Sequence, residues 1–255
     1  MKIKNLRRER VGSNAVLSAE VTDIHNLALA KWEGRHWVSL PYEYEHWLSD
    51  DRYDGFLLGL LYPAMAYGED IEVDGDVSGR LLHNIREHVI HILLAYSPSL
   101  RTVSIKCRGK AKVIESAGHV GTGFSGGVDS FCTIYDRYQC EVDQDFKIDT
   151  LLNINAGNYY GKSSEETRRL FQNAYQRLRG FPDYVGLPYV PVDSSLAYIY
   201  NEKWKFQKVH LLNTIACVLC FQSYFGKYYL ASAVSYKELE ESIPRYRDFD
   251  IAGFC

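Results

Sequence analysis

The second half of the chain alternates short apolar runs with longer amphipathic stretches, and this rhythm restricts the possible folds more than any other feature. A regular alternation of strand and helix predicts a parallel sheet with helices packed on its faces. The third apolar run contains Pro191, which cannot donate a hydrogen bond to a neighbouring strand, so we expect that strand at a sheet edge. We therefore predict an α/β fold whose strands lie at residues 120–124, 150–154, 189–192 and 228–233.

The first half mixes short strands with two helices. Residues 14–44 predict a β-hairpin or meander. Pro63 would kink or end the first helix, and Ser78 can cap the second. We expect an α+β N-terminal domain over residues 1–112 and a parallel-sheet domain over residues 117–255.

Composition and charge argue against several classes of protein. A chain of 255 residues can bury a large core, and its net charge of -3 gives no general attraction to nucleic acid. The basic start, residues 1–8, lacks the apolar core of a signal peptide and is interpreted as a frayed start or an edge strand. Residues 209–226 carry no formal charge but contain polar side chains, which indicates a buried helix rather than a membrane span. With six scattered cysteines, the pattern favours a cytoplasmic protein without membrane or nucleic-acid partners.

Residues 121–130 read G-T-G-F-S-G-G-V-D-S and lie where the first predicted strand of the second half gives way to a helix. Backbone N–H groups at a helix N-terminus behind a glycine turn bind phosphate well, because they point into one space at the positive end of the helix dipole. Gly126 and Gly127 allow a tight turn, and Ser125 and Ser130 add hydroxyl donors. Asp129 offers a carboxylate that suits Mg²⁺.

Two other glycine-rich motifs are weaker alternatives. A Walker loop requires a lysine followed by Ser or Thr after its second glycine; residues 121–130 lack it, and residues 157–163 fall one residue short of the Walker spacing. Gly121, Gly123 and Gly126 match the dinucleotide fingerprint G-x-G-x-x-G. The acidic residue expected after the second strand is, however, replaced by Asn-Ala-Gly at residues 155–157.

The run S-G-G-V-D-S at residues 125–130 resembles the motif of the PP-loop ATP pyrophosphatases without a mismatch, over a region of about residues 117–235. That superfamily includes asparagine, GMP and NAD synthetases, tRNA-thiolating enzymes and 7-cyano-7-deazaguanine synthase, which we take as the nearest type. The resemblance implies a HUP-like parallel sheet of order 3-2-1-4-5 with the loop after its first strand. It also implies a ligase that releases pyrophosphate from ATP and adenylates a substrate oxygen, which ammonia, an amine or sulfur then displaces.

The resemblance also implies a set of site residues. ATP and Mg²⁺ are the expected cofactors, with Asp129 as the metal ligand and Asp129, Ser130 and Lys162 as catalytic candidates. Three cations near the C-terminal end of the sequence are candidates for the same role as Lys162: Lys237, Arg245 and Arg247. The nucleotide-binding candidates are Ser125, Gly126, Gly127, Val128, Asp129, Ser130, Asn155, Gly157 and Ser232.

Several departures from the family narrow the function. Residue 2 is a lysine, so no N-terminal cysteine serves a glutaminase, and ammonia or sulfur is expected from solvent or a donor protein. The zinc-binding cysteine cluster of the deazaguanine synthases is missing, and Cys217 and Cys220 are interpreted as buried structural thiols. Little sequence follows residue 235, so we expect a short or truncated second domain. The N-terminal helices are candidates for a homodimer interface or for a lid over the crevice. The alternative function for the whole protein is a regulatory module that binds ATP or AMP without turnover.

Overall fold

The computed structural model describes residues 1–200 and 206–231. It contains nine strands and eight α-helices within those residues. The strands are β1 (Lys2–Val11), β2 (Asn14–Thr22), β3 (Gly34–Pro41), β4 (Ile71–Ser78), β5 (Ile105–Ala111), β6 (His119–Gly123), β7 (Thr150–Asn155), β8 (Tyr189–Ser194) and β9 (Phe225–Tyr229). The helices are α1 (Asp54–Tyr67), α2 (Gly79–Asn84), α3 (Ile90–Tyr96), α4 (Val128–Ile134), α5 (Ser164–Leu178), α6 (Gly180–Val185), α7 (Leu196–Ile199) and α8 (Phe206–Leu219).

The nine strands form one sheet in the order β5-β4-β1-β2-β3-β8-β7-β6-β9. The pairs β1–β2, β2–β3 and β3–β8 are antiparallel, and the other five pairs are parallel. The predicted α/β class with a mostly parallel sheet and flanking helices is therefore confirmed. The order of the whole sheet differs from the expected 3-2-1-4-5, because strands of the first half extend it.

Two predicted sheet edges are wrong. The strand that contains Pro191 lies inside the sheet, between β3 and β7. The proline is tolerated there because β3 pairs only with Asp193 and Ser194, beyond the proline. The basic strand β1 also lies inside, between β2 and β4. Its Ile3 is fully buried, whereas Arg7, Arg8 and Arg10 are exposed.

The longest helix of the first half passes through a proline without ending. Pro63 has no N–H to donate to the carbonyl of Gly59, and the hydroxyl of Tyr200 donates to that carbonyl instead, at 3.3 Å. The helix ends at Gly68, which adopts a left-handed conformation with φ of 67°. A side chain from the second half therefore satisfies a backbone group that proline leaves free in the first.

Core residues of both halves pack together in one cluster that includes β1, β4, α1, β8 and α8. A smaller cluster, on the other face of the second-half strands, contains Val120, Phe124, Ile134, Ile148, Leu151 and Tyr189. The division into residues 1–112 and 117–255 stays a prediction, although the β3–β8 pairing joins the two halves in one sheet. Within the described residues, no helix has both the length and the apolar character that crossing a membrane requires.

Candidate functional site

The glycine-serine loop, residues 125–130, lies at the carboxyl end of β6, a strand with a parallel neighbour on each side. β6 pairs with β7 on one side and β9 on the other, and the loop leads directly into α4. The backbone N–H of Phe124 donates to the carbonyl of Leu152 at 2.9 Å, and the hydroxyl of Tyr189 donates to the carbonyl of Phe124 at 3.2 Å. These two hydrogen bonds fix the residue that precedes the loop.

Within the loop, short side chains organise the turn. Gly126 has φ of 72°, a region that glycine enters freely, and a Cβ atom there would collide with the side chain of Leu178 in α5. The Ser130 hydroxyl donates to the Gly127 carbonyl at 2.8 Å, and the Ser125 hydroxyl lies 3.4 Å from both the Gly127 N–H and the Ser130 hydroxyl. These internal hydrogen bonds therefore hold the turn together, and residues 125–129 stay exposed to solvent.

The start of α4 presents backbone N–H groups to solvent. The helix begins at Val128 with Gly127 as its N-cap, and the first N–H groups of a helix have no carbonyl partner within it. Residues 125–129 are exposed, whereas Ser130 is only 3% exposed. A π-helical turn, Tyr135–Gln139, continues the helix, so the whole helical segment is longer than α4 alone. This arrangement suits an anion at the positive end of the helix.

The glycines before the loop have a packing reason that the sequence did not reveal. A Cβ atom on Gly121 would lie 2.6 Å from Cε1 of Phe225 and 2.9 Å from Cδ2 of Tyr228. A Cβ atom on Gly123 would lie 3.4 Å from Oη of Tyr228. Gly121 therefore makes room for two aromatic rings of β9, whereas a Cβ atom on Gly123 would make only an ordinary contact with Tyr228.

A cavity of about 170 Å³ opens beside the loop, across the carboxyl ends of β6, β7 and β9. Ligands of open α/β sheets bind in crevices at this end of the strands. Within the described residues, no charged side chain lines it. Its lining consists of Gly123, Phe124, Ser125, Ser130, Leu152, Asn153, Ile154, Asn158, Tyr159, Thr214, Tyr228, Tyr229, Leu230 and Ala231.

Two lining residues carry buried polar atoms that have no hydrogen-bond partner in the described part of the chain. Asn153, in β7, is 2% exposed; its Oδ1 accepts from the Tyr159 hydroxyl at 2.6 Å, but its Nδ2 has no partner. The hydroxyl of Tyr228 is also buried without a partner, and burial raises the pKa of this phenol. Asn153 had two sequence signals: it is a polar residue within a buried strand, and the resemblance implies that residues 153–157 recognise adenine. Tyr228 had no sequence signal.

Of the predicted candidates, Asn155 is the last residue of β7 and Gly157 follows the strand; neither of them lines the cavity. Asn155 is fully buried and donates through Nδ2 to Asp193 at 2.7 Å, while its carbonyl accepts from the Ser194 hydroxyl at 2.9 Å. Burial raises the pKa of Asp193, although hydrogen bonds from Tyr198, Asn155 and the Ser194 N–H oppose the shift. Asn155 therefore joins the ends of β7 and β8.

Lys162 lies on the surface, where α5 begins. Its backbone N–H donates to Oε2 of Glu166 at 2.7 Å, and the Ser163 hydroxyl caps α5 by accepting from the Glu166 N–H at 3.2 Å. Lys162 does not line the cavity. Ser232 and the late cations at residues 237, 245 and 247 lie outside the described residues, although Ala231, next to Ser232, does line it.

The loop has one carboxylate that fits a magnesium ion. Asp129 is exposed in the first turn of α4, and Mg²⁺ prefers one or two carboxylates together with substrate phosphates and water. Across residues 1–200 and 206–231, no three His, Cys, Asp or Glu side chains are grouped to hold a metal by themselves. Asp129 would therefore hold Mg²⁺ only together with oxygens of a bound nucleotide.

Cys217 and Cys220 lie in and just after α8, both buried. Burial raises the pKa of Cys217 to about 12 and that of Cys220 well above its usual value. Both thiols are therefore protonated at neutral pH, which does not favour metal binding or nucleophilic attack.

Comparison with known proteins adds nothing to this geometry. No protein-family model matches the chain, and no curated protein or solved structure is significantly similar to it. Any function must therefore be argued from the loop, the strands that hold it and the cavity beside it.

Proposed function

We propose that this protein binds ATP at residues 125–130 and uses it, as PP-loop ligases do, to adenylate a substrate with release of pyrophosphate. The observation that carries the proposal is the position of S-G-G-V-D-S, between the carboxyl end of a central parallel strand and the start of a helix. A phosphate group there would meet exposed backbone N–H groups and the exposed Ser125 hydroxyl, with the Ser130 hydroxyl buried just behind it.

The order of the second-half strands supports the proposal. Numbered along that half, β6, β7, β8 and β9 are strands 1, 2, 3 and 4, and they lie in the order 3-2-1-4. All three pairs among them are parallel. This is the order that a HUP-like sheet of 3-2-1-4-5 would have without its fifth strand, and it puts the loop on strand 1.

The chain's own residues would bind and orient the reacting groups. The N–H groups at the start of α4 and the exposed Ser125 hydroxyl would hold the β and γ phosphates as the leaving group. The Ser130 hydroxyl would join them by turning away from the Gly127 carbonyl. Bound Mg²⁺ would neutralise charge on these phosphates, with Asp129 as its protein ligand. A substrate oxygen would then attack the α phosphorus, and the bond between that phosphorus and pyrophosphate would break. Lys162 and the cations at residues 237, 245 and 247 are candidates to balance the negative charge that develops on the phosphates.

We propose a small molecule as the substrate, with a carboxylate or carbonyl oxygen to activate. Ammonia, an amine or a sulfur donor would displace AMP from the adenylate, and a donor protein is one source of that nucleophile. The deazaguanine synthases are the nearest reaction type. Cytoplasmic location and a homodimer are consistent with this role and stay predictions.

The reaction products test the proposal directly. The full chain is incubated with ATP, Mg²⁺ and a panel of small carboxylic acids, and the nucleotide products are separated. We expect AMP and pyrophosphate in equal amounts, in a substrate-dependent way. ADP and inorganic phosphate would contradict cleavage at the α phosphorus.

A module that binds ATP or AMP without turnover is the second candidate. One observation favours it: within the described residues, neither the cavity nor residues 125–130 contain a lysine or arginine. Cations commonly stabilise the charge that develops during phosphoryl chemistry. Tight nucleotide binding without any AMP formation over the whole panel would support this candidate.

A further inference from the structure

The two residues that flank the glycine-serine loop are both phenylalanines, and their rings are in contact. Phe124 comes directly before residues 125–130, and Phe131 comes directly after them. Their ring centroids lie 5.2 Å apart at an interplanar angle of 85°, the edge-to-face arrangement that aromatic pairs favour. This contact restrains the two ends of the loop against each other.

A third ring, from a different helix, packs on both of these phenylalanines. Phe181 of α6 has its ring centroid 5.3 Å from that of Phe124 and 5.0 Å from that of Phe131. The side chain of Leu178, the last residue of α5, lies so close to Gly126 that a Cβ atom on this glycine would collide with it. The end of α5 and the start of α6 therefore support the loop at its first residue, at its last turn and at both flanking rings.

The hydroxyl of Tyr189 restrains the backbone at the start of the loop. Tyr189 is the first residue of β8 and is buried, and its hydroxyl donates to the carbonyl of Phe124 at 3.2 Å. Its ring also lies edge-to-face with the ring of Phe124, with 5.8 Å between the centroids. Neither Tyr189 nor Phe181 lies in the S-G-G-V-D-S motif, and neither lines the cavity beside it.

We propose that Phe181 and Tyr189 are positioning residues, which hold the loop in its phosphate-binding geometry without touching the ligand. This inference rests on the proposed binding of ATP. Backbone N–H groups bind a phosphate well only when they point into the same space. If the restraints on the loop were lost, only a fraction of the molecules would hold this geometry, and the apparent affinity would fall by that fraction.

Tyr189→Phe is the sharpest test, because it keeps the aromatic ring and removes only the hydroxyl. We expect the affinity for ATP to fall roughly two- to tenfold, the effect of one lost neutral hydrogen bond on the population of the binding geometry. The affinity for inorganic tripolyphosphate should fall by the same factor, because the loop would hold it alone. The affinity for AMP should not change, since AMP has no β or γ phosphate. Titration calorimetry on the full chain measures all three affinities.

Tyr200→Phe is the matched control for the lost hydroxyl. The Tyr200 hydroxyl also donates to a backbone carbonyl, that of Gly59 at 3.3 Å, but this carbonyl belongs to α1. The variant should lose stability in urea unfolding and keep its affinity for ATP, tripolyphosphate and AMP. A loss of stability by itself is thereby distinguished from a displaced loop.

Phe181→Leu tests the aromatic contacts independently of Tyr189. Leucine keeps an apolar side chain at this position but removes the ring that packs on Phe124 and Phe131. We expect the affinity for ATP and tripolyphosphate to fall roughly two- to tenfold, the range for an aromatic pair. Phe221→Leu is its control: Phe221 is fully buried and packs on Trp47, with 6.4 Å between the ring centroids. This control should lose stability and bind all three ligands as the wild type does.

The outcomes separate this inference from the proposed function. If the wild-type chain binds ATP, and Tyr189→Phe and Phe181→Leu bind it equally well, the inference is overturned and ATP binding stands. If both variants lose affinity for AMP by the same factor as for ATP, or if the two controls lose as much ATP affinity, the effect is not specific to the loop and the inference also fails. If the wild-type chain binds neither ATP nor tripolyphosphate, both proposals are overturned.

Discussion

Asp129 combines exposure with a position in the first turn of the helix that follows the loop. If its carboxylate holds Mg²⁺ against the phosphates, Asp129→Ala should reduce AMP formation at least a hundredfold, since about 2.7 kcal/mol or more of charge stabilisation is lost. Stability should change by about 0.5 kcal/mol or less, as for most exposed sites. Product formation and urea unfolding measure the two quantities.

Asp136→Ala is the control for that experiment. Asp136 is exposed on the π-helical turn of the same helical segment and lies away from the loop. AMP formation should be unchanged in this variant. Equal activity of the Asp129→Ala and wild-type proteins would remove Asp129 from the mechanism.

Glu69 is a second residue whose surroundings have a measurable consequence. Its carboxylate is buried and accepts hydrogen bonds from the Met1 amino group at 2.7 Å, from the backbone N–H of His25 and from that of Asn26. Burial by itself raises the pKa of Glu69. The hydrogen bonds from Met1 and His25 outweigh burial and lower the pKa to about 2.

A carboxylate whose pKa is lower in the folded state stabilises the protein at pH values above its unfolded pKa, near 4.5. Glu69→Gln should therefore reduce the free energy of unfolding at pH 6 by about 1.5–3 kcal/mol, the range for hydrogen bonds to charged groups. The difference between variant and wild type should shrink as the pH falls from 4.5 toward 2. Urea unfolding at several pH values measures it.

Glu72→Gln provides the comparison. Glu72 pairs with Lys2 at 2.9 Å, but its side chain is 56% exposed, and exposed ion pairs contribute little. This variant should differ from the wild type by less than about 1 kcal/mol at every pH. A pH-independent effect of Glu69→Gln would contradict the role given to its charge.

At the scale of elements, helices α1 and α8 pack closely against each other at Gly55 of α1. A Cβ atom on Gly55 would lie 2.5 Å from the carbonyl oxygen of Ala216 and would collide with Sγ of Cys220. Gly59, one turn later, would place a Cβ atom 3.5 Å from that of Ala216. The first position therefore permits no side chain, whereas the second permits a methyl group at the cost of a tight contact with Leu196.

Gly55→Ala should destabilise the protein by about 1–3 kcal/mol, because the new methyl group overpacks the contact between α1 and α8. Gly180→Ala is the matched control: Gly180 begins α6, and a Cβ atom there meets nothing within 4 Å. That variant should be neutral or slightly more stable. Thermal unfolding of both variants compares them, and equal melting temperatures would contradict the close approach of α1 and α8.

Individual elements could be predicted where their signals are local. Ser78 caps the helix that follows it, as predicted, because a capping hydroxyl acts on N–H groups two or three residues away. Strand neighbours could not be predicted in this way. The edge positions assigned to β1 and to the Pro191 strand were wrong because pairing partners come from distant parts of the chain. The loop could be predicted from six residues, but Tyr228 could not, since only folding brings it beside Gly121 and Gly123.

At the scale of the whole molecule, the two halves meet along a strand pair, a helix pair and a common core. Val38 and Ser39 of β3 pair with Ser194 and Asp193 of β8, and the backbone N–H of Ser49 donates to the carbonyl of Cys220 at 2.8 Å. Composition and periodicity change near residue 112, which indicated a domain boundary. Periodicity describes each stretch by itself and gives no information about which stretches share a core.

Because the core is shared, residues 113–255 expressed alone should not fold, although they contain the loop and four parallel strands. Without residues 1–112, the face of α8 that packs on α1 and the edge of β8 that pairs with β3 would be exposed to water. We expect this fragment to be insoluble or to show no cooperative thermal transition by circular dichroism. Co-expression with residues 1–112 should restore a soluble complex, and the intact chain should unfold in one transition. A soluble fragment 113–255 with its own cooperative transition, and with the ATP affinity of the full chain, would instead establish residues 117–255 as an independent domain and reduce the β3–β8 pairing to an interdomain contact.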